Sequence, residues 1–219
     1  NNTNFNKQQF DGLSDLIEMG LGSSAEILSK LLNNEAEFGL EELNNEQIET
    51  LESFGDSQGV VVGLDISGAI NGKSAIVVQN SYVKEILNVL MNIEEDEDED
   101  EELDEISLGT FKELIGQMAS AFSETMTSFF GSAVKIRTDE AYDLSEDGEE
   151  IAEFFECDKE DDVYSMVSRF TLTDILSGNF VILFDDETIN HIISRIMNPD
   201  AGNFYTPDNM SGQAAAPRN

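Results

Sequence analysis

GKSAIVVQNSYVKEILNVLM, residues 72–91, returns 106 positions later as GNFVILFDDETINHIISRIM, residues 178–197. Ile76 meets Ile182, Ile86 meets Ile192, and Met91-Asn92 meets Met197-Asn198, with apolar and polar positions agreeing along most of the stretch. Each copy reads as a strand running into a short amphipathic helix. The strand pairs upstream complete two hairpins: residues 60–70 and 74–78 joined at Asn71-Gly72, and residues 163–173 and 179–184 flanking Ser177-Gly178. Dipeptides of this kind are strong local turn signals. Asn80 or Ser81 can cap the first short helix, which carries Val83, Ile86, Leu87, Leu90 and Met91. Asp185 or Asp186 can cap the second, with Ile189, Ile192, Ile193, Ile196 and Met197.

Working outward, two longer stretches show apolar residues at steps of three and four, the mark of an amphipathic helix. Residues 10–32 carry Leu13, Leu16, Ile17, Leu21, Ile27, Leu28, Leu31 and Leu32; residues 103–130 carry Ile106, Leu114, Ile115, Met118, Phe122, Met126, Phe129 and Phe130. Gly20 and Gly22 interrupt the first at a cost of about 1 kcal/mol each relative to alanine, so close backbone packing is expected there. At an offset of 98, Gly22 falls on Ser120, Leu28 on Met126 and Ser29 on Thr127. The offsets differ by eight residues, which places an insertion around residues 146–153, read as a loop. A duplication of this length predicts pseudo-twofold symmetry, each half completing the other's core in one continuous domain.

With 46 acidic and 11 basic residues, the formal charge of -35 opposes phosphate backbones and anionic headgroups, so neither nucleic acid nor membrane insertion is expected. Residues 94–102, EEDEDEDEE, read as a solvated acidic loop between the halves. They lack the glycine turn and spaced ligands of a calcium loop. A single cysteine, Cys157, and no long apolar stretch point to a cytoplasmic protein. No initiator methionine precedes Asn1, and the chain reads as trimmed. His191 has no second histidine or cysteine at a metal-ligand spacing, so no metal and no cofactor is expected.

The segment from Leu13 to Leu32, LSDLIEMGLGSSAEILSKLL, resembles the first long helix of the CheC, CheX and FliY family of bacterial chemotaxis and flagellar switch proteins. KELIGQMASAFSETMTSFF, residues 112–130, resembles the second, and Ile66-Ser-Gly, residues 86–91 and residues 167–198 resemble the hairpins and helices that follow. The resemblance spans residues 10–198. It implies an α/β fold of the α+β type: an internally duplicated, pseudo-twofold domain with a shared, mostly antiparallel sheet and two long helices on one face. The organisation expected is a flexible segment at 1–9, repeat one at 10–93, the acidic loop at 94–102, repeat two at 103–198, and a linker or tail at 199–219. Residues 209–219 resemble the linker that in FliY leads to a FliN-like domain.

In that family, phosphatase members remove the phosphoryl group from an aspartate of the response regulator CheY. Their motif is Asp or Ser, three residues, Glu, two residues, Asn, a spacing that keeps the side chains on one helix face. The resemblance implies that the Asn orients a water in line with the phosphoryl group and the Glu pairs with a regulator lysine, positioning suited to phosphoryl transfer. The first copy reads Asp11, Asp15, Glu18; the second reads Gly109, Glu113, Gly116. Gly116 replaces the expected Asn, Glu18 has no amide to donate, and Gln117 lies about 100° further round the helix. The proline that follows each long helix in the family is missing. Asn92 runs straight into the acidic loop, where FliM-type proteins carry a glycine-rich loop that contacts FliG.

The resemblance therefore implies a chemotaxis or flagellar-switch protein acting mainly as a binding or scaffold domain, with a CheY-like response regulator and other switch proteins or a CheD-like protein as partners, at the flagellar basal body. The alternative is a CheY-phosphate phosphatase using Glu113 with Gln117 or Glu18, Asp15 being the shortened counterpart of Glu113 in the first copy. A second alternative is an acidic adaptor outside chemotaxis.

Overall fold

A computed structural model describes residues 5–50, 58–94, 103–144 and 148–199. In chain order the elements are α1 (Lys7–Leu32), β1 (Ala36–Gln47), a 3₁₀ turn (Ile48–Thr50), β2 (Gly59–Gly68), β3 (Gly72–Gln79), α2 (Asn80–Met91), α3 (Glu105–Phe130), β4 (Val134–Asp143), α4 (Glu149–Phe155), β5 (Asp162–Leu172), β6 (Leu176–Phe184) and α5 (Asp186–Met197). The expected acidic loop and C-terminal tail lie outside the described residues, apart from Glu94 and Pro199 at their borders.

The long helices begin and end by the same physics. At the start of α1, the Asn6 side chain accepts from the Gln9 backbone N–H while the Gln9 side chain accepts from that of Asn6. Two N–H groups that the helix leaves orphaned are thereby satisfied. This cap starts the helix inside the segment expected to be flexible. Asp104 caps α3 by accepting from the Ser107 N–H at 2.7 Å. The C-caps, Asn33 and Gly131, both take the left-handed conformation. Beyond them the Ser29 hydroxyl accepts from the Ala36 N–H at 2.9 Å, and the Thr127 hydroxyl accepts from the Val134 N–H at 2.9 Å. These positions are 98 apart, so each hydroxyl fixes the reversal from long helix to strand.

All strand pairings are antiparallel, in the order β1-β5-β6-β3-β2-β4. The first strand of each half therefore borders the hairpin of the other half. At the centre β3 pairs with β6, Ile76 opposite Ile182. Those two residues are equivalents in the duplication, so the pseudo-twofold axis passes between them. One face of the sheet buries Val60, Val62, Met166 and Phe184 against Leu16 and Ile17 of α1, Leu114 of α3, Val83 of α2 and Ile192 of α5. Each fully buried aliphatic side chain contributes about 1.5–3 kcal/mol of transfer free energy. The other face buries Val61, Val77, Val181 and Leu183 under Ile151, Ala152 and Phe155 of α4, with Ile48.

Several local expectations give way to this arrangement. The stretch expected as a loop around 146–153 contains most of α4, which covers the sheet's second face; residues 145–147 lie outside the described ones. Gln79, without a side-chain cap bond, precedes α2, whereas Asp185 caps α5 by accepting from the Thr188 N–H. Neither Asn71-Gly72 nor Ser177-Gly178 forms the centre of its turn. Ile66 lies opposite Gly72 and Leu172 opposite Leu176, which centres the turns on Ala69 and Asp174. The repeated glycine serves close packing instead: a Cβ at Gly72 would strike Thr188 of α5, and one at Gly178 would strike Tyr82 of α2. Tyr82 and Thr188 are themselves 106 apart, so each half's strand admits the other half's short helix.

Candidate docking faces of the long helices

α1 and α3 lie antiparallel, with the Ser24 hydroxyl donating to the Met118 carbonyl at 2.8 Å and the Ser23 and Thr125 hydroxyls 2.6 Å apart. Gly20 permits this approach, since a Cβ there would come 2.5 Å from the Phe122 ring. At Gly22 a Cβ would meet nothing within 4 Å, so the close packing expected of both glycines holds only at the first. Apolar residues of each helix turn to the sheet and leave the opposite side to solvent.

On that outer side, Asp11, Asp15 and Glu18 follow steps of four and three along α1, all exposed. On α3, Gly109, Glu113 and Gln117 are exposed, while Gly116 is half-buried beside β4. A Cβ on Gly116 would meet the Thr138 methyl at 3.5 Å, an ordinary contact, and one on Gly109 would meet nothing within 4 Å. The missing asparagine therefore has room. Among the described residues Asp11, Asp15, Glu18, Glu113 and Gln117 make no hydrogen bond or ion pair within the chain. Their polar atoms face water and are available to a partner. Glu18, at the position where the resemblance leads one to expect an amide, offers only acceptor oxygens.

Apolar residues accompany the carboxylates. Ile106, which the helical pattern alone assigns to the core, is 80% exposed and lies seven residues before Glu113, on the same stripe. Met19 is 45% exposed beside Glu18, and Phe10 is also exposed. These were not legible as surface residues, because their spacing fits the core pattern equally well. The signal lay in the N-cap at Asp104, which fixes Ile106 in the first turn, beyond the sheet's cover.

Chemistry elsewhere is sparse. Among the described residues no group of three or more His, Cys, Asp or Glu could hold a metal ion. The His191 Nδ1 lies 3.3 Å from the Asn71 backbone N–H, tying α5 to the β2–β3 turn. Burial raises the Cys157 thiol above its ordinary pKa, helped by Asp161, Asp185 and Asp158, which disfavours the nucleophilic thiolate. Among the described residues no helix is long and apolar enough to cross a membrane.

A duplicated α+β domain with an interleaved antiparallel sheet and paired long helices across one face is the CheC-like fold. Solved structures of that fold include FliY from Thermotoga maritima, which this chain matches with a TM-score of 0.78 at 18% identity over 90% of this chain and 100% of that one. A chain of the FliG–FliM complex from H. pylori matches with a TM-score of 0.68 at 13% identity, covering 87% of this chain and 100% of that one. A chain of the CheX–CheY–BeF3–Mg complex from Borrelia burgdorferi matches with a TM-score of 0.50 at 20% identity, covering 78% of this chain and 97% of that one. No family model matches the sequence. No curated protein matches it either.

Proposed function

We propose that this chain is a chemotaxis or flagellar-switch domain of the CheC/FliY type that acts by binding, with the outer faces of α1 and α3 as docking surfaces for a CheY-like response regulator and for switch proteins. The observation that carries this reading is the state of the two motif faces. Both remain exposed and free of intramolecular partners, yet neither presents an amide where water would be oriented. A carboxylate at Glu18 would repel an incoming phosphoryl group, and Gly116 supplies no side chain at all. Exposed Ile106 and Met19 supply the apolar anchors that hot spots require, and the carboxylates suit a partner with basic residues around its site. Structures of related fold include a FliG–FliM and a CheX–CheY complex, which supports switch proteins and a response regulator as partner classes here. The reading places the domain on the cytoplasmic side of the flagellar basal body.

Mixing the domain with a phosphorylated CheY homologue tests this. Binding is expected without faster phosphate release, and Glu113→Ala is expected to weaken it. Accelerated release that disappears in Glu113→Ala would establish the phosphatase instead. Failure to bind any regulator or switch component would favour an acidic adaptor outside chemotaxis.

A further inference from the structure

We infer that the space between the two long helices and the sheet is a binding site for a small uncharged apolar molecule, about the size of a single aromatic ring. The inference is independent of the docking reading and starts from a break in the symmetry. Phe38, Phe170 and Phe180 pack edge to face, with ring centroids 5.4, 5.2 and 6.5 Å apart. The duplication maps these three positions onto Ile136, Leu64 and Ser74. One side of the pseudo-twofold axis is thus filled by three rings, and the other by two aliphatic side chains and a serine. All six line a cavity of about 100 Å³ beneath α1 and α3, and the smaller set leaves space that its counterpart occupies.

The walls favour an apolar occupant over water. Only two polar side chains line the cavity, Ser24 and Ser74. The Ser24 hydroxyl donates to the Met118 carbonyl at 2.8 Å, and the Ser74 hydroxyl donates to the Leu183 carbonyl at 2.9 Å. With both hydrogens engaged, the two serines offer a water acceptor oxygens alone, and no side chain of the lining is left to donate to it, which is poor footing for a molecule that needs two to four polar partners. An apolar molecule would restore the dispersion contacts that the lining side chains forgo. An engineered apolar cavity of about 150 Å³ with similar walls stays dry and takes up benzene. Met118, Phe122 and Ile136, also in the lining, are half-buried, which leaves the space reachable from solvent.

Thermal unfolding of the 219-residue chain with benzene tests the inference. A saturable rise in Tm is expected, about 3–6 °C at ten times Kd. Phenol, which brings a hydroxyl that the walls do not satisfy, is expected to bind at least tenfold more weakly. Ser74→Phe and the milder Leu64→Phe rebuild parts of the filled side and are expected to abolish or sharply reduce the response. No saturable shift with benzene, equal responses to benzene and phenol, or an undiminished response in a folded filled variant would overturn the inference. Methyl NMR on the parent protein decides the matter even where the variants do not fold. Benzene should move the resonances of Leu64, Met118 and Ile136, and shifts confined to other residues would refute the site.

Discussion

Under the proposed function, a single missing side chain at Gly116 separates a binding face from a catalytic one. The space for it exists, since a Cβ there makes only an ordinary contact with Thr138. Gly116→Asn is therefore expected to fold and to restore the amide three residues after Glu113. Under the proposed function it should accelerate phosphate release from a phosphorylated CheY homologue roughly tenfold or more, because one positioned donor at developing charge is worth at least that. No acceleration from a variant that still binds would show that the face has lost more than its amide. The two α1 glycines provide a second contrast. Gly22→Ala, in open space, is expected to raise stability by about 0.5–1 kcal/mol, whereas Gly20→Ala must displace the Phe122 ring and is expected to lower it. Urea denaturation of the two variants reads both signs. Tyr142 makes a third residue-scale case: its hydroxyl is buried without a hydrogen-bond partner. Burial, with Glu150, Asp139, Glu140 and Glu153 nearby, pushes its pKa well above the ordinary 10. The folded state then holds a proton that the unfolded chain releases, so this contribution to stability is intact below pH 10 and is lost as pH rises beyond it. Tyr142→Phe is expected to be neutral or stabilising at pH 7 and to flatten the alkaline fall in Tm, with Tyr164, also raised, keeping a smaller share.

The elements legible in the sequence were those whose periodicity agrees with their burial. α1, α3, α2 and α5 each bury one stripe, and β2, β3, β5 and β6 carry the apolar runs of central strands. β1 escaped because a bulge between Leu40 and Glu42 breaks its alternation: in AEFGLEELNNEQ, Glu37, Glu42 and Glu46 share one face of this edge strand only once the unpaired Glu41 is passed over. Charge at an edge is how sheets avoid pairing with other chains, and it also hides the strand from pattern reading. β4 escaped for the same reason. α4 was obscured by acidic neighbours, although Ile151, Ala152 and Phe155 close the second face of the sheet. What holds α4 there lies far away in the chain. The Lys73 ammonium donates to the Phe154 carbonyl at 2.8 Å and pairs with Glu156 at 3.0 Å. No local pattern reveals such a contact. The ion pair involves a largely exposed Glu156 and adds little, so the bond to the carbonyl carries most of the effect. Lys73→Met is expected to lower the free energy of opening α4 by about 1 kcal/mol while leaving the central strands protected. Amide hydrogen exchange would show this as faster exchange confined to residues 149–157, and uniform acceleration across the sheet would contradict it.

For the molecule as a whole, the interleaved strand order decides what can fold alone. β1 pairs with β5 and β4 with β2, so neither half contains the partner of its own first strand. The central β3–β6 pairing likewise crosses the halves, and α1 packs on α3 through Gly20 and Ser24. A fragment of residues 1–94 would thus expose both edges of the β2–β3 hairpin, an unpaired β1 and the apolar undersides of α1 and α2. A two-stranded hairpin and two helices of that size cannot bury enough surface to offset the conformational entropy of ordering them. The same edges are complementary to those of a second half, because the pseudo-twofold axis makes β3 a partner for its own equivalent. The fragment is therefore expected to be unfolded at low concentration and to form a swapped homodimer with a six-stranded sheet at high concentration. Mixing it with a fragment of residues 103–199 is expected to give a heterodimer in preference to either homodimer, since Phe38 of the first half is shaped for Phe170 and Phe180 of the second. Light scattering and circular dichroism across a dilution series measure both outcomes. A half that stayed folded as a monomer would show that the duplication joins two self-sufficient units, contrary to the strand order that defines this fold.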